Sequence, residues 1–69
     1  MDINTRHGGP YDRGRADSYY RRGRKPHYYK GDTYTSNIVT EESMTLEEIN
    51  EYHFGFDENQ ADQNFKDYE

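Results

Sequence analysis

The chain has no cysteine, so neither a disulfide nor a thiolate metal site can brace it. It is also poor in large apolar residues. Ile3, Ile38, Val39, Leu46, Ile49, Phe54, Phe56 and Phe65 are the whole supply of Ile, Leu, Val and Phe in 69 residues, below the roughly 20% at which disorder begins to compete with folding. At this length a single thin-cored domain is the most that can form. No apolar run is long enough for a secretory leader or a membrane span, and the opening MDINTRHGG is polar. That pattern predicts a cytoplasmic protein with no membrane association.

Catalytic signals are missing too. His7, His27 and His53 are scattered, with no His-x-x-x-His spacing for a metal. Gly8-Gly9 is followed by no Lys-Ser/Thr and preceded by no strand, so it does not read as a phosphate-cradling loop. Carboxylates abound, but an acid/base pair needs a cleft that shifts its pKa, and so small a chain has little material for one. The expectation is a protein without enzymatic activity, cofactor or metal.

What the chain does have is charge divided into two blocks. Residues Met1 to Lys30 carry eight Lys/Arg against three Asp, a net of +5, whereas Gly31 to Glu69 carry one Lys against eleven Asp/Glu, a net of −10. The basic block holds five of the eight tyrosines, in PYDRGRADSYYRRGRKPHYYK, where cations alternate with rings. That mixture suits phosphate backbones and base faces, or an acidic partner surface. With three phenylalanines, the tyrosines can also replace the missing aliphatics, since each aromatic buries on the order of 150–250 Å². Tyr19 and Tyr20 are the favoured core members of the basic block.

Local signals predict a mostly α protein. Two short helices, at about 10–22 and 45–60, are joined by an extended aromatic linker around a small aromatic core, with at most one or two short strands. Residues 1–9 read as an extended arm, 10–62 as a single two-helix domain and 63–69 as an acidic tail. Pro10 suits the first turn of a helix, where its missing N–H is not needed. Ala16, Tyr19, Tyr20 and Gly23 keep helical spacing, and Gly23-Arg24-Lys25-Pro26 is the predicted stop. His27 to Gly31 reads as an aromatic loop. Thr33 to Val39 is β-branched and reads as extended, or as one strand that would pair with the arm. Thr45-Leu46-Glu47-Glu48 is a capping box, and Leu46, Ile49, Tyr52, His53 and Phe56 form one stripe after it. On that stripe a packed or half-buried His53 is favoured over a ligand. Phe65 and Tyr68 either fold back onto the surface or belong to a frayed end.

A short pattern recurs at an offset of 41 residues. Tyr11-x-x-Gly14-x-x-Asp17 matches Tyr52-x-x-Gly55-x-x-Glu58. Glycine inside a helix costs about 1 kcal/mol relative to alanine, so a glycine at the same place in both helices suggests a close approach, such as an aromatic of the other helix. The alternative is coincidence, with Gly14 simply breaking a helix.

These elements resemble small proteins of the ribosome modulation factor type, which carry an aromatic-x-x-Gly helix, a connector with a proline-aromatic pair, and a second aromatic-x-x-Gly-aromatic helix. Here the elements are Tyr11 to Gly14, Pro26-His27-Tyr28 and Tyr52 to Phe56. The HGGPYDRG and PHYY segments, with Gly55-Phe56-Asp57-Glu58-Asn59, also look like those of small uncharacterised tailed-phage proteins. The resemblance spans Arg6 to Asn59 and implies ribosomal RNA binding by the basic half, in a bacterial host cytoplasm. The acidic C-terminal half departs from the strongly basic ribosome factor.

Two binding readings follow. In the first, Arg13, Arg15, Arg21, Arg22, Arg24 and Lys25 contact phosphates of RNA or the ribosome, and His27 and Tyr28 stack on bases. The arginines read equally as a solvated face paired with the acidic helix. In the second, Glu47, Glu48, Glu51, Asp57, Glu58 and Asp62 imitate phosphates and occupy the basic groove of a host defence or nucleic-acid enzyme. A plain solubilising face is the bland alternative. A partly disordered adaptor that folds on its partner is a third reading, and a homo-oligomer joined basic half to acidic half is open to both.

Overall fold

The computed structural model describes residues 4–31 and 37–67. Helix α1 runs Pro10–Tyr19, strand β1 His27–Tyr29, strand β2 Ile38–Thr40, a 3-10 turn Glu41–Ser43, and helix α2 Leu46–Asp62. The chain is mostly helical, as the local signals predict, with a two-stranded antiparallel hairpin between the helices.

Helix α1 starts at Pro10 behind an extended Gly9, with no side-chain cap. It ends before the predicted stop. Arg21 adopts the left-handed conformation (φ 59°), its N–H reaches the Ser18 carbonyl (3.0 Å), and the Arg22 N–H reaches the Asp17 carbonyl (2.7 Å). This pair of bonds closes a Schellman turn, so the boundary is 19 and not 22. Helix α2 keeps its predicted start. The Glu48 N–H donates to Thr45 Oγ1 (3.1 Å) and the Thr45 N–H to Glu48 Oε1 (2.9 Å), and Gln63 turns left-handed beyond the last turn.

The buried faces follow apolar spacing only in part: on α2 Tyr52 and Phe56 are buried and Ile49 and His53 half-buried, as the stripe predicts, but Leu46 and Tyr20 lie exposed. Helix α1 buries Pro10, Arg13, Gly14, Asp17 and Ser18, and Tyr20 is exposed while Tyr19 is half-buried. Helix α2 buries Glu51, Tyr52, Gly55, Phe56 and Asn59, and Leu46 is 74% exposed. Both helices therefore turn their glycine faces inward. A Cβ built on Gly14 would lie 2.9 Å from Tyr52 C and Phe56 N and closer still to Tyr52 O. One built on Gly55 would lie 3.1 Å from Tyr11 C and closer to Tyr11 O. The repeated glycine is the close approach itself, made by the backbone of the other helix's tyrosine and not by its ring.

The rest of the repeat is reciprocal as well. The Tyr52 hydroxyl donates to Asp17, and the Tyr11 hydroxyl to Glu58. Ser18 and Asn59, which share the same 41-residue offset, meet each other through Asn59 Nδ2 and Ser18 Oγ (2.8 Å). Buried polar groups are thereby satisfied in pairs, and the apolar core is reduced to Val39, Met44, Tyr52 and Phe56, with Tyr28 and Ile49 against it.

β2 pairs with the aromatic segment and not with the arm, in the register Tyr28↔Val39. The arm takes the other side of β1. The Tyr29 N–H donates to the Gly8 carbonyl (2.7 Å), and the Arg6 guanidinium donates to the carbonyls of Tyr29 (2.7 Å) and Gly31 (3.2 Å). Thr33 to Ser36, predicted as extended, lie outside the described residues, as does Tyr68. Phe65 folds back. Asn64 O accepts from the buried Asn59 amide (2.9 Å), and the Lys66 N–H donates to the Tyr19 carbonyl (2.7 Å).

Replacing a helical glycine by alanine ordinarily stabilises by about 1 kcal/mol. Here Gly14→Ala and Gly55→Ala should each destabilise by about 2 kcal/mol through overpacking against backbone. Gly23→Ala, which meets open space, should be nearly neutral. Urea melts of the three variants check this, and a neutral or stabilised Gly14→Ala would contradict the helix contact.

Candidate nucleic-acid interface

The packing separates the predicted basic residues into three groups. Arg13 is buried and donates to Asp12 from Nε (3.2 Å) and Nη2 (2.9 Å). Arg15 crosses to α2, where it meets Glu58 (2.6 Å) and Asp62 (3.2 Å). Arg15 thus ties the helices together, in accord with the reading of arginines paired with the acidic helix, whereas Arg13 is matched within α1. Arg21, Arg22, Arg24 and Lys25 instead lie in an unbroken exposed segment, Tyr20–Lys25, that leaves the end of α1.

Within that segment the partners differ. Arg22 pairs with Asp17 (3.2 Å) and lies over the Tyr20 ring at 4.8 Å. Arg24 pairs with Asp57, donates to His53 Nδ1 (3.1 Å) and lies over the Phe56 ring at 4.3 Å. Both arginines remain accessible, with side chains 49% and 42% exposed. Among the described residues, Arg21 and Lys25 have no carboxylate within 4.0 Å. His53 is half-buried against Tyr52, as predicted.

Arg22, Gly23, Arg24, Lys25 and His27 surround a concavity of about 310 Å³ with Asp17 on its wall. Asp17 is almost fully buried. Its carboxylate accepts from the Tyr52 hydroxyl and from Arg22, and His27 Nδ1 stands 3.7 Å away. The Lys25 N–H donates to the Tyr52 hydroxyl (2.9 Å), which fixes the cup to the core. The His27 ring donates to the Lys25 carbonyl (2.8 Å) and packs beside Tyr29 and Tyr52. In this position it shapes the loop, with its side chain 16% exposed. Tyr28 is half-buried on the hairpin, with Arg6 over its ring at 6.0 Å. The exposed ring near the cations is Tyr20, which the sequence favours as a core member.

No protein-family model matches the chain, and no similar curated protein or solved structure was found.

The acidic set is mostly engaged. Glu48 caps α2, Glu51 is buried, Asp57 meets Arg24, and Glu58 and Asp62 meet Arg15. Glu47 alone in that set is exposed with no ion pair among the described residues. A second, more apolar groove of about 510 Å³ follows the hairpin past Ile38 and Thr40, with Lys25 at its edge and Glu41 and Glu42 in its lining. That mixture of signs does not suit a polyanion. Among the described residues no three His, Asp or Glu side chains are grouped to hold a metal ion, and no helix is long and apolar enough to cross a membrane.

Three phenols are held above their ordinary pKa. Burial and the bond to Asp17 raise Tyr52, the bond to Glu58 and partial burial raise Tyr11, and burial with Glu48 nearby raises Tyr28. In the unfolded chain each ionises near pH 10, so above that pH the folded state retains more protons and stability falls as pH rises. Thermal melts between about pH 8 and pH 11, read alongside phenolate absorbance, should show this decline. A flat profile would contradict the three bonded phenols.

Proposed function

We propose that the protein is a small non-enzymatic RNA-binding protein of phage type, acting on a host nucleoprotein such as the ribosome in the bacterial cytoplasm. The observation that carries this reading is the exposed Tyr20–Lys25 segment, in which Arg21, Arg22, Arg24 and Lys25 surround or flank one concavity and two of the four cations have no carboxylate partner among the described residues. Phosphates supply the missing counter-charge there. For Arg24, an ion pair exposed on both sides contributes only about 0–1 kcal/mol, so exchange of the Asp57 carboxylate for a phosphate loses little, while the half-exposed Arg22 stays on the buried Asp17. The resemblance of Tyr11–Gly14, Pro26–Tyr28 and Tyr52–Phe56 to ribosome modulation factor-type proteins points the same way.

The competing reading, a host enzyme's basic groove filled by α2, has less to work with. Asp57, Glu58 and Asp62 would have to leave Arg24, Arg15 and the Tyr11 hydroxyl to reach a partner.

Binding to RNA purified from bacterial ribosomes should weaken steeply with salt. Arg21→Ala and Lys25→Ala should each reduce the slope of log affinity against log salt by about one, with melting temperature unchanged. Unaltered affinity and slope in the double variant would overturn the assignment and favour a protein target.

A further inference from the structure

We infer that the interface takes an unpaired nucleotide, with its phosphate in the cationic cup and its base in a second notch beside it. This rests on the RNA-binding reading above. The notch, about 260 Å³, is lined by Ser18, Arg21, Arg22, Gln60 and Phe65. Arg22 lines both concavities, so a backbone phosphate and its base would sit on either side of one guanidinium.

The notch has the chemistry that bases require. Phe65 gives an aromatic face, half-buried and held from both sides, since Asn64 O is fixed by the Asn59 amide and the Lys66 N–H by the Tyr19 carbonyl. The anchor is rigid because Asn59 is itself 1% exposed and bonded to Ser18. Gln60 is exposed on the last turns of α2, and its amide carries both a donor and acceptors for a base edge. Arg21 now lies over the Phe65 ring at 5.4 Å. A base–aromatic stack outweighs an exposed cation–π contact of that kind. The entering base therefore takes the ring, and Arg21 is released toward the phosphates. Such a site needs a base outside a duplex, because a paired base presents no free face to stack on.

The test uses the full chain with a short mixed-sequence single-stranded RNA and the same sequence as a duplex. The single strand should bind more tightly. Phe65→Leu, which keeps an apolar anchor and removes the aromatic face, should weaken single-strand binding about tenfold with the salt slope unchanged, and Gln60→Ala should weaken it less. Circular dichroism melts of both variants confirm folding, and quenching or shifting of a fluorescent adenine analogue in the strand reports stacking directly. Equal binding of strand and duplex, with Phe65→Leu silent, would overturn the nucleotide site while leaving the RNA reading intact. Binding of neither RNA would overturn both.

Discussion

The fold depends on two helices meeting backbone to backbone at Gly14 and Gly55. With no Cβ on either side, Tyr52 O rests over Gly14 and Tyr11 O over Gly55. The same two tyrosines then extend their hydroxyls to Asp17 and Glu58, each three residues beyond the glycine that its own carbonyl covers. The pattern tyrosine, glycine, acid at three-residue steps is thus one geometric unit used twice, because residues three or four apart share a helix face. The two halves are not equal in burial. Asp17 lies under Arg22, His27 and the Lys25 end of the connector, whereas Glu58 stays partly open to solvent beside Arg15. A close contact of this kind lets a chain with few aliphatics fold, since much of the interface is backbone and paired polar groups and not hydrocarbon.

That contact also decides what becomes of the divided charge. Bringing α1 onto α2 places part of the basic block against the acidic one, and Arg15 and Arg24 are neutralised across the interface. Arg13 and Arg22 are matched by the aspartates of α1 itself, and Arg6 is spent on backbone carbonyls of the hairpin. The pairs across the interface are partly exposed and contribute orientation as much as energy. What remains for an external anion is concentrated where α1 ends and the chain has not yet reached β1. A net charge of −5 therefore coexists with a local positive surface, and it limits how far that surface attracts nucleic acid at long range.

The helices, the capping box at Thr45 and the aromatic character of the core were legible from sequence because each rests on local rules: proline at a first turn, a reciprocal cap, rings in place of aliphatics. The inward face of α2 was legible through Tyr52 and Phe56, and that of α1 was not. Apolar spacing pointed to Tyr19, Tyr20 and Leu46, but glycine selects its face by what it lacks, and hydropathy gives no weight to a missing side chain. Only the repeat carried that signal, through Gly14 and Gly55. Grouping of cations in the sequence likewise could not separate Arg13 from Arg21, eight positions apart, because one is buried on α1 and the other lies past its end. Phe65 was visible as a ring that could fold back. Its place beside Gln60 and Arg21 required the turn at Gln63, the anchoring of Asn64 by Asn59 and the long-range bond from Lys66 to Tyr19.

Arg21 links the fold to the proposed interface. It occupies the left-handed position of a Schellman turn, where glycine is relaxed and any other residue carries a penalty of about 1 kcal/mol. A glycine stands only two residues later, at Gly23, in open space and without a positive φ. Stability alone would favour the exchange of these two positions. The arginine gains no ion pair among the described residues to offset the strain, only a loose contact with the Phe65 ring. Strained residues persist where the surroundings over-determine them, and they gather at functional sites. Two backbone bonds fix the turn, so the guanidinium projects from a backbone that is already ordered, and less conformational entropy is lost when an anion arrives. A cation held at this position at the expense of stability is what the proposed binding role would account for, and the same turn that strains it also aims it.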